Sequence, residues 1–299
     1  MAKLTTAQAT QHRKANDLTM LDRALTLDEQ EFVLDHWMEA GTARLDGAFF
    51  TPAGLAQDLS IEVYGERIID LCAGIGRLAW HCRNLLNARH NGEARELVCV
   101  EKDPEYVRVG RKILPEATWI LGDVFDVPSM GLGRFDMAIG NPPYGAVARA
   151  GRNAPRYTGS RFEYHVIDIA AEVARNGVFL IPQESAPFRL SGRPYYTQER
   201  TEQYNRFERQ TGIALEAGCG VDTSGYVDEW RDAAPRTEIV VADLAERKAP
   251  AATAVRSVEA RSWPAMSAVE FTTRPKATQV AMFDTGDDKA TGSIGLFDI

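Results

Sequence analysis

Apolar residues in this chain alternate between short unbroken runs and longer stretches of helical spacing. The runs are Arg67-Ile68-Ile69-Asp70-Leu71, Glu96-Leu97-Val98-Cys99-Val100, Thr118-Trp119-Ile120-Leu121, Phe135 to Ile139, and Gly177-Val178-Phe179-Leu180-Ile181-Pro182. Runs this short and continuous predict strands buried on both faces, as in a parallel sheet. Between them, Arg77 to about Asn87, the residues after Asp103-Pro104, and Phe162 to Arg175 have helical periodicity, with Asp103 as an N-cap. Two later runs, Ile213 to Ala217 and Thr237 to Ala242, read as the last strands. The pattern predicts an α/β domain with a seven-stranded, mostly parallel sheet and helices on both faces.

The flanks are weaker. Residues 1–16 are polar and read as frayed, whereas Thr26-Leu27-Asp28-Glu29 has the form of a capping box ahead of Val33, Leu34, Trp37 and Met38. Thr51-Pro52 precedes an amphipathic stretch from Ala53 to about Val63, with Thr51 as the expected cap and Pro52 at the first helical position. The segment from Gln183 to about Thr211 is mixed, with Tyr195, Tyr196 and Tyr204 among charged residues, and Asp222 to Tyr226 reads as a turn. The expected division is a helical extension over 1–46, a main domain over 47–245, and a weakly structured tail over 246–299 rich in Ala, Thr, Ser and Gly.

Four successive strands deliver polar residues at their C-terminal ends. The first ends in Asp70 and a turn through Gly74 and Gly76, which lets backbone pass close to a ligand. The second ends in Glu101, where a carboxylate can take two ribose hydroxyls, and the third in Gly122-Asp123, where one can accept from an adenine amine. Asp70 can attract an ammonium group, and the glycine spacing is not the phosphate fingerprint G-x-G-x-x-G. The ligand expected has an ammonium, a ribose and an adenine but no phosphate, and S-adenosylmethionine fits it.

The fourth strand delivers Asn141-Pro142-Pro143-Tyr144. Two prolines can continue neither ladder nor helix, so the chain leaves the strand stiff and extended. An amide side chain, a main-chain carbonyl and an aromatic ring are thereby held in fixed relation. The exocyclic amine of adenine is a poor nucleophile, because its lone pair is delocalised into the ring. Two acceptors, the Asn141 side-chain oxygen and the Pro142 carbonyl, draw such an amine toward tetrahedral geometry, and Tyr144 offers a stacking face. An already activated methyl donor needs orientation and electrostatics rather than a tuned acid or base.

Composition narrows the partners. A 299-residue chain that is 44% hydrophobic and 25% charged is ordinary for a globular protein, with no membrane-length apolar run and no signal-peptide core, so a cytoplasmic location is expected. Cys72, Cys82, Cys99 and Cys219 lack Cys-x-x-Cys spacing and the five histidines are scattered, so no metal site is expected. The net charge of -8 is uneven: residues 141–210 hold ten Arg against seven acidic residues. Arg149, Arg152, Arg156 and Arg161 fall in an acid-free, glycine-containing stretch from Gly145, which reads as a mobile loop that tracks phosphates beside the site.

Taken together, these motifs resemble the S-adenosylmethionine-dependent amino-methyltransferases, specifically the DNA adenine-N6 group whose cofactor motifs precede the catalytic one. The resemblance covers about residues 47–244 and implies a Rossmann-like class I methyltransferase fold. It implies that Phe50, Thr51 and Pro52 contact the methionine end of the cofactor, and that Asp70, Cys72, Ala73, Gly74 and Gly76 form the hallmark loop. Glu101 with Lys102 would hold the ribose, and Asp123 with Val124 the cofactor adenine. Asn141, Pro142, Pro143 and Tyr144 match the catalytic motif, in which Asn rather than Ser favours adenine over cytosine. The chain departs from restriction-associated members in lacking an evident C-terminal target-recognition domain, which implies short or relaxed sequence specificity, with the 145–161 loop and residues 183–212 in contact with flipped-out DNA.

The same four residues also serve enzymes that methylate RNA adenines or protein glutamine amides, and a non-catalytic cofactor-binding role is a third alternative. In the tail, Gln279-Val280-Ala281-Met282-Phe283 resembles peptides that dock on bacterial sliding clamps, through Gln279, Met282 and Phe283.

Overall fold

The computed structural model describes residues 5–38, 49–83, 94–230 and 234–247. The chain enters through α1 (Thr6–Thr19), α2 (Leu27–His36) and α3 (Ala53–Ser60), then alternates β1 (Arg67–Leu71), α4 (Arg77–His81), β2 (Glu96–Glu101), α5 (Pro104–Ile113), β3 (Thr118–Leu121) and β4 (Phe135–Gly140). It continues through α6 (Phe162–Val173), β5 (Ala174–Pro182), a hairpin of β6 (Phe188–Arg189) and β7 (Thr197–Gln198), α7 (Glu202–Thr211) and β8 (Thr237–Asp243). The main sheet runs β3-β2-β1-β4-β5-β8, parallel except where β8 pairs antiparallel with β5. Residues on the two faces of β1 fall in separate hydrophobic clusters, Ile68 in one and Ile69 and Leu71 in the other, which is why the central strands are apolar on both sides.

The main sheet has six strands, not the expected seven. The segment Ile213 to Ala217 meets the sheet at a single antiparallel bridge, Glu216 to Val241. The Leu215 N–H is drawn back to the Tyr204 hydroxyl (3.1 Å), and Gly212, Gly218 and Gly220 all take positive φ, so the chain turns away on both sides of the bridge. Residues 5–16 also differ from expectation, since α1 is opened by a reciprocal capping box between Thr5 and Gln8. The Thr26 box forms as read, and α2 packs toward the sheet: Arg77, at the start of α4, bonds the Leu34 carbonyl (2.5 Å) and Asp35 (2.9 Å). The helix expected from Arg77 to about Asn87 instead ends at His81, capped at Cys82, whose N–H bonds back to Leu78 and Ala79, and 84–93 lie outside the described residues. The same holds for the tail from residue 248, including Gln279, Met282 and Phe283. No helix among the described residues is long and apolar enough to cross a membrane.

Eleven of the twelve residues of α6 are buried, including Glu163, His165 and Asp168, so each of these needs an internal partner. All three find theirs in the preceding loop. Glu163 accepts from the Gly145 N–H (2.9 Å) and the Ser185 hydroxyl (2.6 Å). His165 Nδ1 accepts from the Ala154 N–H (3.0 Å), and Asp168 accepts from the N–H groups of Arg156 (2.7 Å) and Tyr157 (2.8 Å). The loop expected to be mobile is therefore strapped to a buried helix at four points.

Because Nδ1 accepts, the His165 proton sits on Nε2 and is donated to the Gly159 carbonyl at 2.9 Å. Burial lowers its pKa to about 4, with the Arg149 charge adding to the effect. A histidine whose pKa falls on folding contributes stability that is lost as pH drops from about 6.5 toward 4, where the unfolded chain takes the proton first. Nitrogen-detected NMR should show a neutral ring protonated on Nε2 from pH 7 down to about 5. A second protonation near pH 6.5 would mean that the strap does not hold.

Candidate active site

Strands β1 and β4 are neighbours, with Asp70 opposite Ile139, and the strand order reverses at this pair. Crevices outside the C-terminal ends of strands at such a reversal are where open α/β sheets hold ligands. The approach is close: a Cβ on Gly140 would lie 2.7 Å from the Leu71 carbonyl, so only glycine lets β4 deliver Asn141 beside the end of β1.

The loop after β1 is a tight turn with Cys72 at φ 63°, Gly74 at 58° and Gly76 at 93°. Its shape is tied to the next strand, since the Ala73 N–H bonds the Val100 carbonyl (3.0 Å) and the Gly74 N–H bonds Glu101 (2.9 Å). A left-handed Cys72 is strained and held in place by these bonds. Space opens above Gly74, where a Cβ would meet only Phe50, at 4.0 Å.

Three carboxylates rim this turn. Asp70 is buried, and Oδ2 accepts from the Ala79 N–H (3.2 Å) while Oδ1 has no partner. Burial raises its pKa to about 8, against the Ala79 bond, and the charge of Glu101 adds to the rise. Glu101 is buried too; it accepts from the N–H groups of Gly74, Lys102 (2.8 Å) and Asp103 (2.9 Å), and burial raises its pKa despite these bonds. Its Oε2 takes one of the three and keeps acceptor capacity. Asp123 caps the short 3₁₀ turn from Val124 by accepting the Phe125 N–H (2.9 Å), and its other oxygen lies 3.6 Å from Arg152. Val124 is buried beneath it.

The Asn141 side chain is oriented by its surroundings. Its Nδ2 donates to the Phe49 carbonyl (3.0 Å) and to the Thr51 hydroxyl (2.9 Å). A carbonyl can only accept, so the amide cannot be flipped, and Oδ1 faces the opposite way. Thr51 was expected to cap α3; the cap position is Pro52, with no side-chain bond, and the Thr51 hydroxyl serves Asn141 instead. Among the described residues no donor bonds the Pro142 carbonyl. Asn141 Oδ1 and the Pro142 carbonyl are thus acceptors on consecutive residues.

Tyr144 does not present a free face. Its ring lies against Phe49 (centroids 5.4 Å apart, tilted 37°), and its hydroxyl donates to Asn141 Oδ1 at 2.6 Å. Burial raises the phenol well above its ordinary pKa, with the Glu163 charge adding to the effect, so the hydroxyl remains a donor. In front lies a cleft of about 490 Å³ lined by Phe49, Tyr144, Arg161, Gln183 and Arg236 among others.

The four loop arginines are committed internally. Arg149 bonds the Arg152 carbonyl and Asn153 (both 2.6 Å), and Arg156 bonds the Thr211 carbonyl (3.0 Å). Arg152 reaches back to Asp126 (2.5 Å) over the Phe125 ring, and Arg161 bonds Gln203 and Glu184 (both 2.5 Å). Only Arg161 lines the cleft. Sequence reading missed Glu163, Gln183 and Arg236. Glu163 falls within an apolar helical run, and Arg236 sits alone before a strand, so neither carries a pattern.

No family model matches this chain, and no curated protein matches it. Solved structures do. A candidate class I S-adenosylmethionine-dependent methyltransferase from Listeria monocytogenes aligns at a TM-score of 0.50 and 13% identity, over 80% of this chain and 81% of that one. A type I restriction-modification methyltransferase subunit from Streptococcus thermophilus aligns at 0.44 and 14%, over 65% of this chain and 44% of its own. A candidate RNA methyltransferase from Pyrococcus horikoshii aligns at 0.40 and 18%, over 77% and 95%. The likeness is one of fold: the described residues share the class I, Rossmann-like fold of the Listeria monocytogenes structure, with a six-stranded main sheet.

Proposed function

We propose that this chain transfers a methyl group from S-adenosylmethionine to the N6 amine of adenine in DNA. The observation that carries this reading is the fixed orientation of Asn141: its amide nitrogen is held by Phe49 and Thr51, which leaves its oxygen as an acceptor at the end of β4, one residue before the Pro142 carbonyl. A pair of acceptors there suits a planar amine with two hydrogens.

The residues around the β1 turn fit the cofactor. Asp70 Oδ1, buried without a partner, suits an ammonium; the open face above Gly74, between Phe50 and the turn of Cys72, Ala73 and Gly76, admits its backbone-like end; and Thr51 and Pro52 lie on the same side. Glu101 Oε2, beside Lys102, is placed for a ribose hydroxyl, and Asp123 above Val124 for an adenine amine. Bound S-adenosylmethionine supplies a methyl group already activated by its sulfonium.

The chain's own work is then to position. Asn141 and Pro142 would accept the two amine hydrogens and localise the nitrogen lone pair, which would form the N–C bond as the donor's S–CH3 bond breaks and its electron pair stays on a neutral thioether; the surplus proton leaves to solvent. To reach this point the base leaves the stack, at about a few kcal/mol, and displaces the Tyr144 hydroxyl from Asn141. Pro143 keeps the turn stiff. Residues 47–245 form the catalytic unit, braced by the N-terminal helices.

Three outcomes are expected. Labelled methyl from S-adenosylmethionine should appear as N6-methyladenine in DNA, and Asn141→Ala should abolish it while the cofactor still binds by calorimetry; label in RNA or protein alone would overturn the substrate. Thr51→Val, which removes one of the two bonds that orient the amide, should lower kcat about tenfold, or about 1.4 kcal/mol, whereas Thr51→Ser should not. Cofactor binding at pH 7 should release about one proton to buffer, because Asp70 is protonated below about 8 in the free protein and ionises against the incoming ammonium. Asp70→Asn should release none, and equal release by both would dismiss this role for Asp70.

A further inference from the structure

With its four arginines bonded internally, the 145–161 loop leaves open what holds the nucleic acid. Among the described residues, the arginines without a side-chain partner are Arg13, Arg193 and Arg236, and Arg13 lies on α1. Arg193 lies within the β6–β7 hairpin, and Arg236 lines the cleft and bonds Gln183 at the hairpin's root.

The hairpin is mounted rigidly at its root. Glu238 is fully buried and accepts four donors: the Gln183 amide (2.7 Å), the Leu190 N–H (2.9 Å), the Ser191 N–H (3.0 Å) and the Ser191 hydroxyl (2.7 Å). A carboxylate kept out of water is stable only with this degree of satisfaction, so the segment has little freedom. The Gly192 N–H is fixed by Asp222 (3.0 Å), and the Arg193 N–H closes the turn on the Leu190 carbonyl (3.0 Å). Arg189 and Glu199 pair across the hairpin at 3.0 Å.

Its tip, by contrast, stands in water. Tyr196 stacks on Phe188 (5.6 Å), whereas Tyr195 is 79% exposed. A single exposed tyrosine is ordinary, but this one stands on a fixed mount two residues from Arg193, which precedes Pro194, and the mount is tied through Gln183 to Pro235-Arg236. Gln183 joins the parts: its N–H bonds the Arg236 carbonyl (2.9 Å), its amide bonds the Ser191 carbonyl (2.9 Å), and its side chain lines the cleft with Tyr144 and Arg236. Cation, cleft and aromatic tip are thus connected through one residue.

Resting on the reading of DNA as substrate, we infer that Arg193, Tyr195 and Arg236 form the surface that holds the DNA beside the target adenine. The arginines contact phosphates, and the Tyr195 ring stacks on a base next to the one withdrawn. Positive charge interleaved with an aromatic face is the combination that binds nucleic acid with little sequence preference.

The test is fluorescence anisotropy with an adenine-containing duplex from about 50 to 200 mM salt, with methyl-transfer kinetics and cofactor calorimetry on the same variants. Arg193→Ala and Arg236→Ala should each weaken binding several-fold and reduce the salt slope by about one. Tyr195→Ala should raise Kd and KM about tenfold with kcat and cofactor affinity little changed, and Tyr195→Phe should restore binding. Arg149→Ala, checked by melting for intact fold, should leave the salt slope unchanged. Tip variants that bind as tightly as the parent, or a salt slope that moves with Arg149 instead, would overturn the hairpin assignment alone. A parent protein that binds no DNA, or binds RNA in preference, would overturn the substrate reading along with it.

Discussion

The amide of Asn141 can be built either way round, and the Phe49 carbonyl decides which. That one hydrogen bond makes the site depend on chain that arrives long before it. Residues 49–52 must cross to the end of β4, which they do packed between Tyr144 and the aromatic group of Trp37 and Tyr106. Trp37 belongs to the end of α2, so the N-terminal helices brace the strand that orients the amide. Gly140 meets the other requirement, the close approach of β4 to β1. A site of one side chain and one carbonyl is thus held by three elements remote in sequence.

A second constraint runs through α6. Burying a helix on nearly every side is unremarkable when it is apolar, but Glu163, His165 and Asp168 are not. Each accepts from backbone N–H groups of the 145–161 loop, Asp168 through Oδ2 alone, so helix and loop fold as one unit. The consequence for charge is direct. A loop with a fixed path places its arginines where local carbonyls and carboxylates already are, and Arg149, Arg152, Arg156 and Arg161 bond those. Charge density counted along the sequence therefore marks a different surface from the free charge on the folded protein.

Much of the fold was legible because central parallel strands buried on both faces leave unbroken apolar runs, as β1, β2, β4 and β5 do, and β3 at the sheet edge has one as well although Leu121 is exposed. The Asp103 cap and the Thr26 box were legible for the same kind of reason, since capping is local chemistry. What escaped was decided at a distance. Ile213 to Ala217 has a strand's composition, yet Tyr204 captures the Leu215 N–H and only one bridge to β8 survives. Thr51 has a cap's position, but a hydroxyl bonds the strongest partner within reach, and Asn141 is within reach only after folding. The polar helix α1 is different: its Thr5-x-x-Gln8 box was present in the sequence and outweighed by the lack of apolar periodicity. At the site, the motif residues could be named in advance, but the orphaned oxygen of Asp70 and the strap on α6 required knowing what each carboxylate lacks or finds.

The Tyr144 hydroxyl bonded to Asn141 Oδ1 gives the site a resting state in which its acceptor is not left bare. A buried acceptor without a donor costs about 1–3 kcal/mol, and the phenol, kept protonated by burial, removes that cost in the absence of substrate. An incoming group gains only what it offers beyond the phenol. An exocyclic amine brings two hydrogens, one for Asn141 and one for the Pro142 carbonyl, which the single hydroxyl cannot serve together. A ring oxygen at the same position brings none, and meets two acceptors after the phenol has been displaced. In the proposed reading, selection for an amine-bearing base follows from the count of hydrogens at this point, before any contact with neighbouring bases contributes.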